Sequence, residues 1–432
     1  MGKREARRPL RIRAAGEGTR VNRLELFFDL VFVYAFFNIA RATTDNLTGI
    51  GLLHALLIIS LLWWCWIAYA WAGNSIRASE GMVPVVLFTV MAAIFVVALT
   101  ISEAFVDIPG GLSGPLVFAC CYFVIRILFV VLQWHIAADQ PQLRAQLPRV
   151  SATIVVATAF LLLAALVPQH LPEGSARTWT QIGFWMLAVL VEYGAGFLGA
   201  ASGWRIASAD HWAERFSLIL LVAFGELIIS VGVGGTQLPH PITWPLIIAA
   251  VLGIVVTVAL WWAYFDIVAL AAEQALHAAH GLQRVMLARD AYIYLHLPMI
   301  AGLMLLSLGG KEALKHIGDP KISHVPMHPI AVTLLYGGMV LYLLGHLGFQ
   351  ARMLGTVTWT RVGAVVLTAA LIPLAIQVPA LVSLGLLAAV SVALVGSELV
   401  LLRGSRRSIR EAVLEERLAS EARETAWRRQ HR

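Results

Sequence analysis

Charge is the scarcest ingredient of this 432-residue chain: Asp, Glu, Lys and Arg make up 13% of it, against 59% apolar residues. A water-soluble protein of this length could bury a large core but would need far more charge to coat its surface, which excludes a soluble globular domain. Cysteine is nearly missing. Cys65, Cys120 and Cys121 fall in apolar stretches and have no Cys-x-x-Cys partner, so neither a disulfide framework nor a zinc site is supported. His277 and His280 are close in sequence, yet a metal centre needs more ligands, and no metal or cofactor is expected. No Walker A loop, Gly-x-Ser-x-Gly elbow or His-Glu-x-x-His occurs, so soluble-type enzymology has no foothold. No cleavable signal is expected either. The first apolar run contains Glu25 and Asp29, no small-residue cleavage site follows it, and the first span is expected to be retained.

What the chain does have is long apolar runs. Several reach the roughly twenty helical residues that cross about 30 Å of hydrocarbon. Leu246–Val268 meets its first ionisable residue at Asp266, and Leu381–Leu402 is interrupted only by Glu398. Hydropathy places spans near 24–41, 50–71, 82–103, 114–135, 150–167, 179–200, 215–234, 245–268, 291–308, 329–348, 360–377 and 381–402. The expected fold class is therefore all-α: a polytopic membrane protein of about twelve transmembrane helices.

The net charge of +7 sits at the ends, with eight Lys or Arg in residues 1–23 and nine Arg in 403–432. Basic tails beside apolar spans mark the cytoplasmic side, and no nucleic-acid-reading motif accompanies them. The loops agree. Arg77, Arg144, Arg149, Arg205, Arg284, Arg289 and Arg352 fall on the predicted inner side, whereas 42–49, 104–113, 235–244 and 378–380 hold no Lys or Arg. Turn residues mark the outer loops, as in Pro109-Gly110-Gly111 and Pro239-His240-Pro241. The loop 309–328 dissents, with Lys311, Lys315 and Lys321 on the outside. Both termini are expected in the cytoplasm. Residues 405–430 have helical character, with Ile409, Val413, Leu418 and Trp427 loosely aligned, either as an amphipathic helix on the inner leaflet or as a solvated tail.

The landmarks repeat. Asp29 is followed 34 residues later by Trp63-Trp64, and Glu226 is followed 35 residues later by Trp261-Trp262. Spans four and ten hold Arg126 and His346; spans six and twelve hold Glu192 and Glu398. Two parallel six-helix repeats are expected. The organisation is then a basic tail (1–23), two six-helix halves (24–200 and 201–402) and a charged C-terminal helix (403–432).

Acidic groups in hydrocarbon are costly unless paired, protonated or wetted, so each implies a site or a structural partner. Glu25 and Asp29, four apart on one helix face after Arg23, read either as an interfacial ion pair or as a cation-binding or proton-relay cluster. Glu226, between Phe224-Gly225 and Gly232, Gly234 and Gly235, reads as a proton carrier or as a hydrogen-bonding partner of Arg126 or His346. Arg126 demands an acidic partner, with Glu192, Asp29 and Glu226 as candidates. Asp266 joins the ion-binding set, and His296 and His346 titrate near neutrality when unperturbed. The run Gly194-Ala195-Gly196-Phe197-Leu198-Gly199, continuing to Gly203, reads as a helix-packing face.

These residues also resemble a family. Arg23-Leu24-Glu25-Leu26-Phe27-Phe28-Asp29-Leu30-Val31-Phe32-Val33 is similar to the start of the low temperature requirement protein A (LtrA) family. So are His211-Trp212-Ala213-Glu214-Arg215-Phe216 leading to Gly225-Glu226, Trp261-Trp262-Ala263-Tyr264-Phe265-Asp266, His296-Leu297-Pro298 and Tyr342-Leu343-Leu344-Gly345-His346. Around Gly225-Glu226 the chain departs, with Phe224 and Leu227 where a leucine and a serine are expected. The resemblance implies a multispanning protein of the bacterial cytoplasmic membrane. More weakly, Arg23-x-x-x-Phe27-Phe28-Asp29 is similar to the signature of lysosomal and bacterial potassium channels built from six-helix repeats, with Phe28 in place of a serine; this implies a pore-lining first helix.

The leading expectation is a transporter or channel for an ion or small solute, in contact with membrane lipids. Asp29, Glu25, Glu226 and Asp266 would bind cations or protons, with Arg126 as counter-charge. The alternatives are a membrane-embedded enzyme or lipid-handling protein using Glu226 and a histidine, and a non-catalytic stress-response or assembly factor whose charges only hold helices together. Self-association is left open.

Overall fold

A computed structural model describes residues 20–76, 81–137, 140–198, 204–236, 241–404, 406–407 and 410–411. The basic residues before Arg20, Arg77, the glycine run beyond Leu198, Pro239-His240 and most of the C-terminal helix expected over 405–430 lie outside the described residues. The described chain is helical and has no strand.

α1 (Arg23–Asp45) begins where Asn22-x-x-Glu25 closes a capping box: the Asn22 side chain accepts from the first turn, and the Asn22 N–H donates to Glu25 at 2.9 Å. α2 (Gly49–Ser75) starts on Thr48, whose hydroxyl accepts from Gly51 N–H. Then come α3 (Val83–Thr100), α4 (Gly114–Ile136), the single turn α5 (Pro141–Arg144), α6 (Leu147–Leu166) and α7 (Ser175–Leu198). The remainder comprises α8 (Ala209–Thr236), α9 (Trp244–Phe265), α10 (Val268–Ala278), α11 (Gly281–Leu287), α12 (Leu295–Gly318), α13 (Pro329–Leu354), α14 (Trp359–Ala375) and α15 (Ala380–Leu401). α13 stops at Gly355, whose φ of +65° lets its N–H reach back to the Ala351 carbonyl.

Ten helices among the described residues are long and apolar enough to cross a membrane. α7 and α14 stand where spans six and eleven are expected. α7 is diluted by Thr178, Thr180, Gln181 and Glu192, and α14 is a shorter apolar helix. Large side chains such as Phe88, Phe95, Ile248, Val251 and Val258 are exposed along these helices. On a soluble surface they would aggregate; on a membrane protein they face lipid. The chain is a multispanning helical membrane protein.

Packing is alike in the two halves of the sequence. In the first, α1 packs on α3, α3 on α4, α4 on α6, α6 on α7 and α7 on α2. In the second, α8 packs on α12, α12 on α13, α13 on α14, α14 on α15 and α15 on α9. α1 and α8 meet between them.

The tightest seam is α12–α13. A Cβ on Gly302 would run into the backbone of Gly338 and Tyr342, and one on Gly309 or Gly338 into the backbone of Leu335 or Leu306. Small residues allow that approach, and in a bilayer they are what drives it. The glycine run on α7 contributes less: Gly194 faces open space, and Gly196 accommodates Trp64 and Tyr294.

α12 also resolves the dissenting outer loop. It continues to Gly318, so Lys311 and Lys315 belong to its last turns, and only the turns after Gly318 form the connection. Lys311 Nζ reaches Thr44 on α1, and Lys315 lies 3.7 Å from Glu312. At its other end the helix passes through a π-helical stretch, Ala288–Tyr294, followed by Pro298. Proline has no N–H for the carbonyl five residues back, so Ile293 O would be orphaned there. The indole of Trp63 donates to it at 2.9 Å.

Candidate functional site

Five acidic side chains are buried among the described residues, Glu25, Asp29, Glu192, Glu226 and Glu398, and four of them are met by cationic or imidazole donors. α1 and α8 form a two-rung ladder. Glu25 and Asp29 stand four apart on α1, as do His211 and Arg215 on α8, and such residues share a helix face. His211 Nε2 donates to Glu25 at 3.0 and 3.1 Å; Arg215 Nη1 donates to Asp29 Oδ2 at 2.8 Å and to the Glu25 carbonyl at 3.0 Å. Trp66 closes the second rung from α2, donating to Asp29 Oδ1 at 2.8 Å, and the Arg215 guanidinium lies 5.3 Å from its ring. Asn74 stands 3.4 Å from His211 Nδ1 and ties the same corner to Ser208 and Ala207. An amide donor facing Nδ1 leaves the proton on Nε2, where Glu25 accepts it. Arg23, next to these residues in sequence, is exposed.

Arg126 finds its partner in Glu192, with Nε at 3.2 Å and Nη2 at 2.8 Å, a two-point contact between α4 and α7. Tyr122 adds a 2.6 Å bond to the same carboxylate. The counterpart in the second half is built on Arg361, which sequence reasoning missed. It donates to both oxygens of Glu398, at 2.6 and 3.0 Å, and to the Ala263 carbonyl, with His346 and Gln350 each 3.1 Å from Nη1. His346 is therefore held by an arginine.

His296 is boxed in by rings. Tyr264 stands 2.9 Å from Nε2, Tyr292 stacks on it, and Phe216 and Phe349 meet it edge-on. Asp266 lies at the end of α9 against Arg406 and Arg410 of the C-terminal segment, at 2.6 and 2.7 Å. Asp290 gathers Arg289 and Arg352, two arginines expected in inner loops, at 2.8 and 3.0 Å.

Glu226 is the exception. It is wholly buried in α8, and its Oε1 accepts the hydroxyls of Ser230, one turn on at 2.5 Å, and Ser307 of α12 at 3.0 Å. Its Oε2 has no partner among the described residues, nor does any described cation lie within ion-pair distance. Neither Arg126 nor His346 bonds to it. The field of Lys311, one turn beyond Ser307, reaches it through space. Gly234, at the far end of α8, lets the α12 backbone approach closely at Lys311, while Gly225 and Gly232 face open space. Ser230 supplies the hydroxyl that the departure at Leu227 would otherwise remove. Among the described residues, no group of three or more His, Cys, Asp or Glu is placed to hold a metal ion.

The family model described as bacterial low temperature requirement A protein (LtrA) matches residues 20–396. A protein of Rhizobium meliloti (strain 1021), described only as uncharacterized, is 27% identical over 311 residues, 69% of this chain and 70% of that one. No solved structure matches the chain.

Proposed function

We infer a transport role from Glu226 for this chain, which belongs to the bacterial low temperature requirement A (LtrA) family: it moves an ion or small solute across the membrane, with Glu226 as the group that takes up the ion. A carboxylate stripped of water and given no cation is too costly to persist as a bare anion. It must be balanced by a proton or a bound cation. Two serine hydroxyls on one oxygen and none on the other suit a proton on Oε2. Four oxygens, two from Glu226 and one from each serine, fall short of the six or so that a hard divalent cation takes.

The remaining candidates divide by their partners. Asp29, Glu192 and Glu398 are met by arginines and Glu25 by the His211 N–H, all from neighbouring helices, so they serve the frame through which Glu226 works. Arg126 is then the counter-charge of Glu192 alone. Asp266 fastens the C-terminal segment, and His296 and His346 brace the aromatic core.

The proposal includes twelve spans in two parallel halves with both termini cytoplasmic. Its support is the matched order of helix packing and the matched clusters, Arg126–Glu192 joining spans four and six, and His346–Arg361–Glu398 joining spans ten to twelve.

The test is reconstitution of the full chain into liposomes, with proton, sodium and potassium fluxes recorded under imposed gradients. Flux of at least one of them is expected, and Glu226→Gln, which keeps an acceptor for both serines while removing the charge, should abolish it. Wild-type protein that conducts nothing would sink the transport reading, and flux unchanged in Glu226→Gln would remove Glu226 from it. A second reading, a non-catalytic assembly or stress-response factor, draws on the pairing of four of the five buried acids. An acid–base enzyme has less support, because both candidate histidines are engaged away from Glu226.

A further inference from the structure

α2, α4, α6 and α7, together with the π stretch before α12, enclose a cleft that none of the ion pairs above explains. Its walls are aromatic, with Trp64, Trp71, Trp204 and Phe129 among them, and Arg126 and Gln133 of α4 line it. Both of these polar side chains are more than nine-tenths buried. Arg126 commits Nε and Nη2 to Glu192, and its Nη1 hydrogen-bonds to no described residue. The Gln133 amide likewise makes no hydrogen bond to a described residue, in contrast to Gln146 across the cleft, which accepts from Trp204. Residues 126 and 133 are seven apart, two turns along one face of α4. The cleft therefore holds two sets of unused donors on one face of α4, on residues whose Cα atoms stand about 10 Å apart along the helix.

Unused N–H groups in a low-dielectric site attract an acceptor, and an anion most strongly. The charges limit which anion. Arg126, Arg149 and Arg289 border the cleft and Glu192 lies inside it; Asp290, outside the lining, is shared by Arg289 and Arg352, so the surroundings stay net positive. Arg149 is exposed near the start of α6, at the mouth. Inside the cleft only Arg126 offers a free donor beside Gln133, and Glu192 already takes up its charge, so a single carboxylate suits the site better than a dianion. Flat aromatic walls suit an apolar or aromatic body; tryptophan faces also attract cations, but the net positive charge around the cleft opposes an ammonium group.

We propose that this cleft binds a small organic monocarboxylate with an apolar or aromatic body, held by Arg126 Nη1 and the Gln133 amide between the tryptophans and drawn in past Arg149. The proposal uses none of the Glu226 geometry. Its test reads binding and not flux, so a failure of the transport reading leaves it standing.

The experiment is calorimetric titration of the purified full-length chain in detergent with phenylacetate and hexanoate. Empty micelles serve as blank, 2-phenylethanol and hexanol as neutral counterparts, and 2-phenylethylamine as the cationic one. Saturable binding of the carboxylates is expected, with the alcohols and the amine weaker by about tenfold or more, a difference of about 1.4 kcal/mol. Gln133→Glu, which places a negative charge where the amide stands and leaves Arg126–Glu192 intact, should weaken phenylacetate by about tenfold or more. Gln133→Leu should weaken it less, and an unchanged melting temperature in both variants shows that the fold is kept. Equal affinity for phenylacetate and 2-phenylethanol would mean mere apolar partitioning and overturn the proposal. So would the absence of saturable heat, or an affinity untouched by Gln133→Glu.

Discussion

Arg361 engages Glu398, His346, Gln350 and the Ala263 carbonyl from a position 3% exposed, and its neighbours pair with no other cation among the described residues. Removing one member of such a cluster leaves an uncompensated charge in a dry interior, which costs about 3–5 kcal/mol, whereas replacing both by apolar groups is often near neutral. Arg361→Met alone should therefore lower the thermal unfolding temperature of the detergent-solubilised protein sharply. Arg361→Met/Glu398→Leu should recover most of the loss. A double variant as unstable as the single would show that Arg361 acts through His346 and Ala263 instead. At this scale the acids are legible, and so is Arg126 with Glu192 among its candidate partners, but Arg215 and Arg361 are not. Hydropathy trims a span at its first charged residue, and both missed arginines sit at such a trim. Hydropathy puts Arg215 at the edge of span seven, although α8 starts six residues earlier, and Arg361 at the edge of span eleven. The four-residue spacing of Glu25 and Asp29, mirrored by His211 and Arg215, is the signal that could have found the ladder.

Among elements, the α12–α13 pair carries the constraint that is hardest to satisfy by any other sequence. Gly338 faces backbone atoms of Gly302 and Leu306, which cannot swing aside as a side chain could, while its neighbour Gly337 faces open space. Gly338→Val should force the helices apart and sharply reduce the yield and melting temperature of folded protein. Gly337→Ala should leave both within about 1 kcal/mol of wild type or raise them, since alanine is the better helix former. Gel-filtration retention on heating reads the difference, and equal behaviour of the two variants would mean that the seam is not close-packed. The sequence marks glycines on both α7 and α13, but only the partner's backbone decides which matter. Gly194 has nothing opposite it, and no pattern within α7 could reveal that. Hydropathy assigns Lys311 and Lys315 to a loop for a related reason: an amphipathic helix end resembles one, whereas both ride on the last turns of α12.

For the whole molecule, the open question is whether α7 and α14 cross the membrane, because the direction of every helix between them depends on the answer. α14 has 17 residues, about 26 Å of helix, at the short end of what spans a bilayer. α7 carries Glu192, but Arg126 and Tyr122 relieve that burden from α4, so crossing need not expose a bare charge. If both cross, Glu173 and Gln377 face the outside while Arg205 and Thr356 face the cytoplasm. All four are exposed, which makes them suitable for single-cysteine labelling once Cys65, Cys120 and Cys121 are replaced. In intact cells, a membrane-impermeant maleimide should label cysteines at 173 and 377 and reach those at 205 and 356 only after permeabilisation. Labelling of 173 and 205 from the same side would lay α7 on one face of the membrane. It would turn the second half upside down relative to the first and end the case for parallel repeats. The same result at 356 and 377 would do this for α14 alone and leave the halves parallel through span ten. The expected pattern would instead place the mouth of the cleft at Arg149 on the cytoplasmic side and Lys311, whose field reaches Glu226, toward the outside.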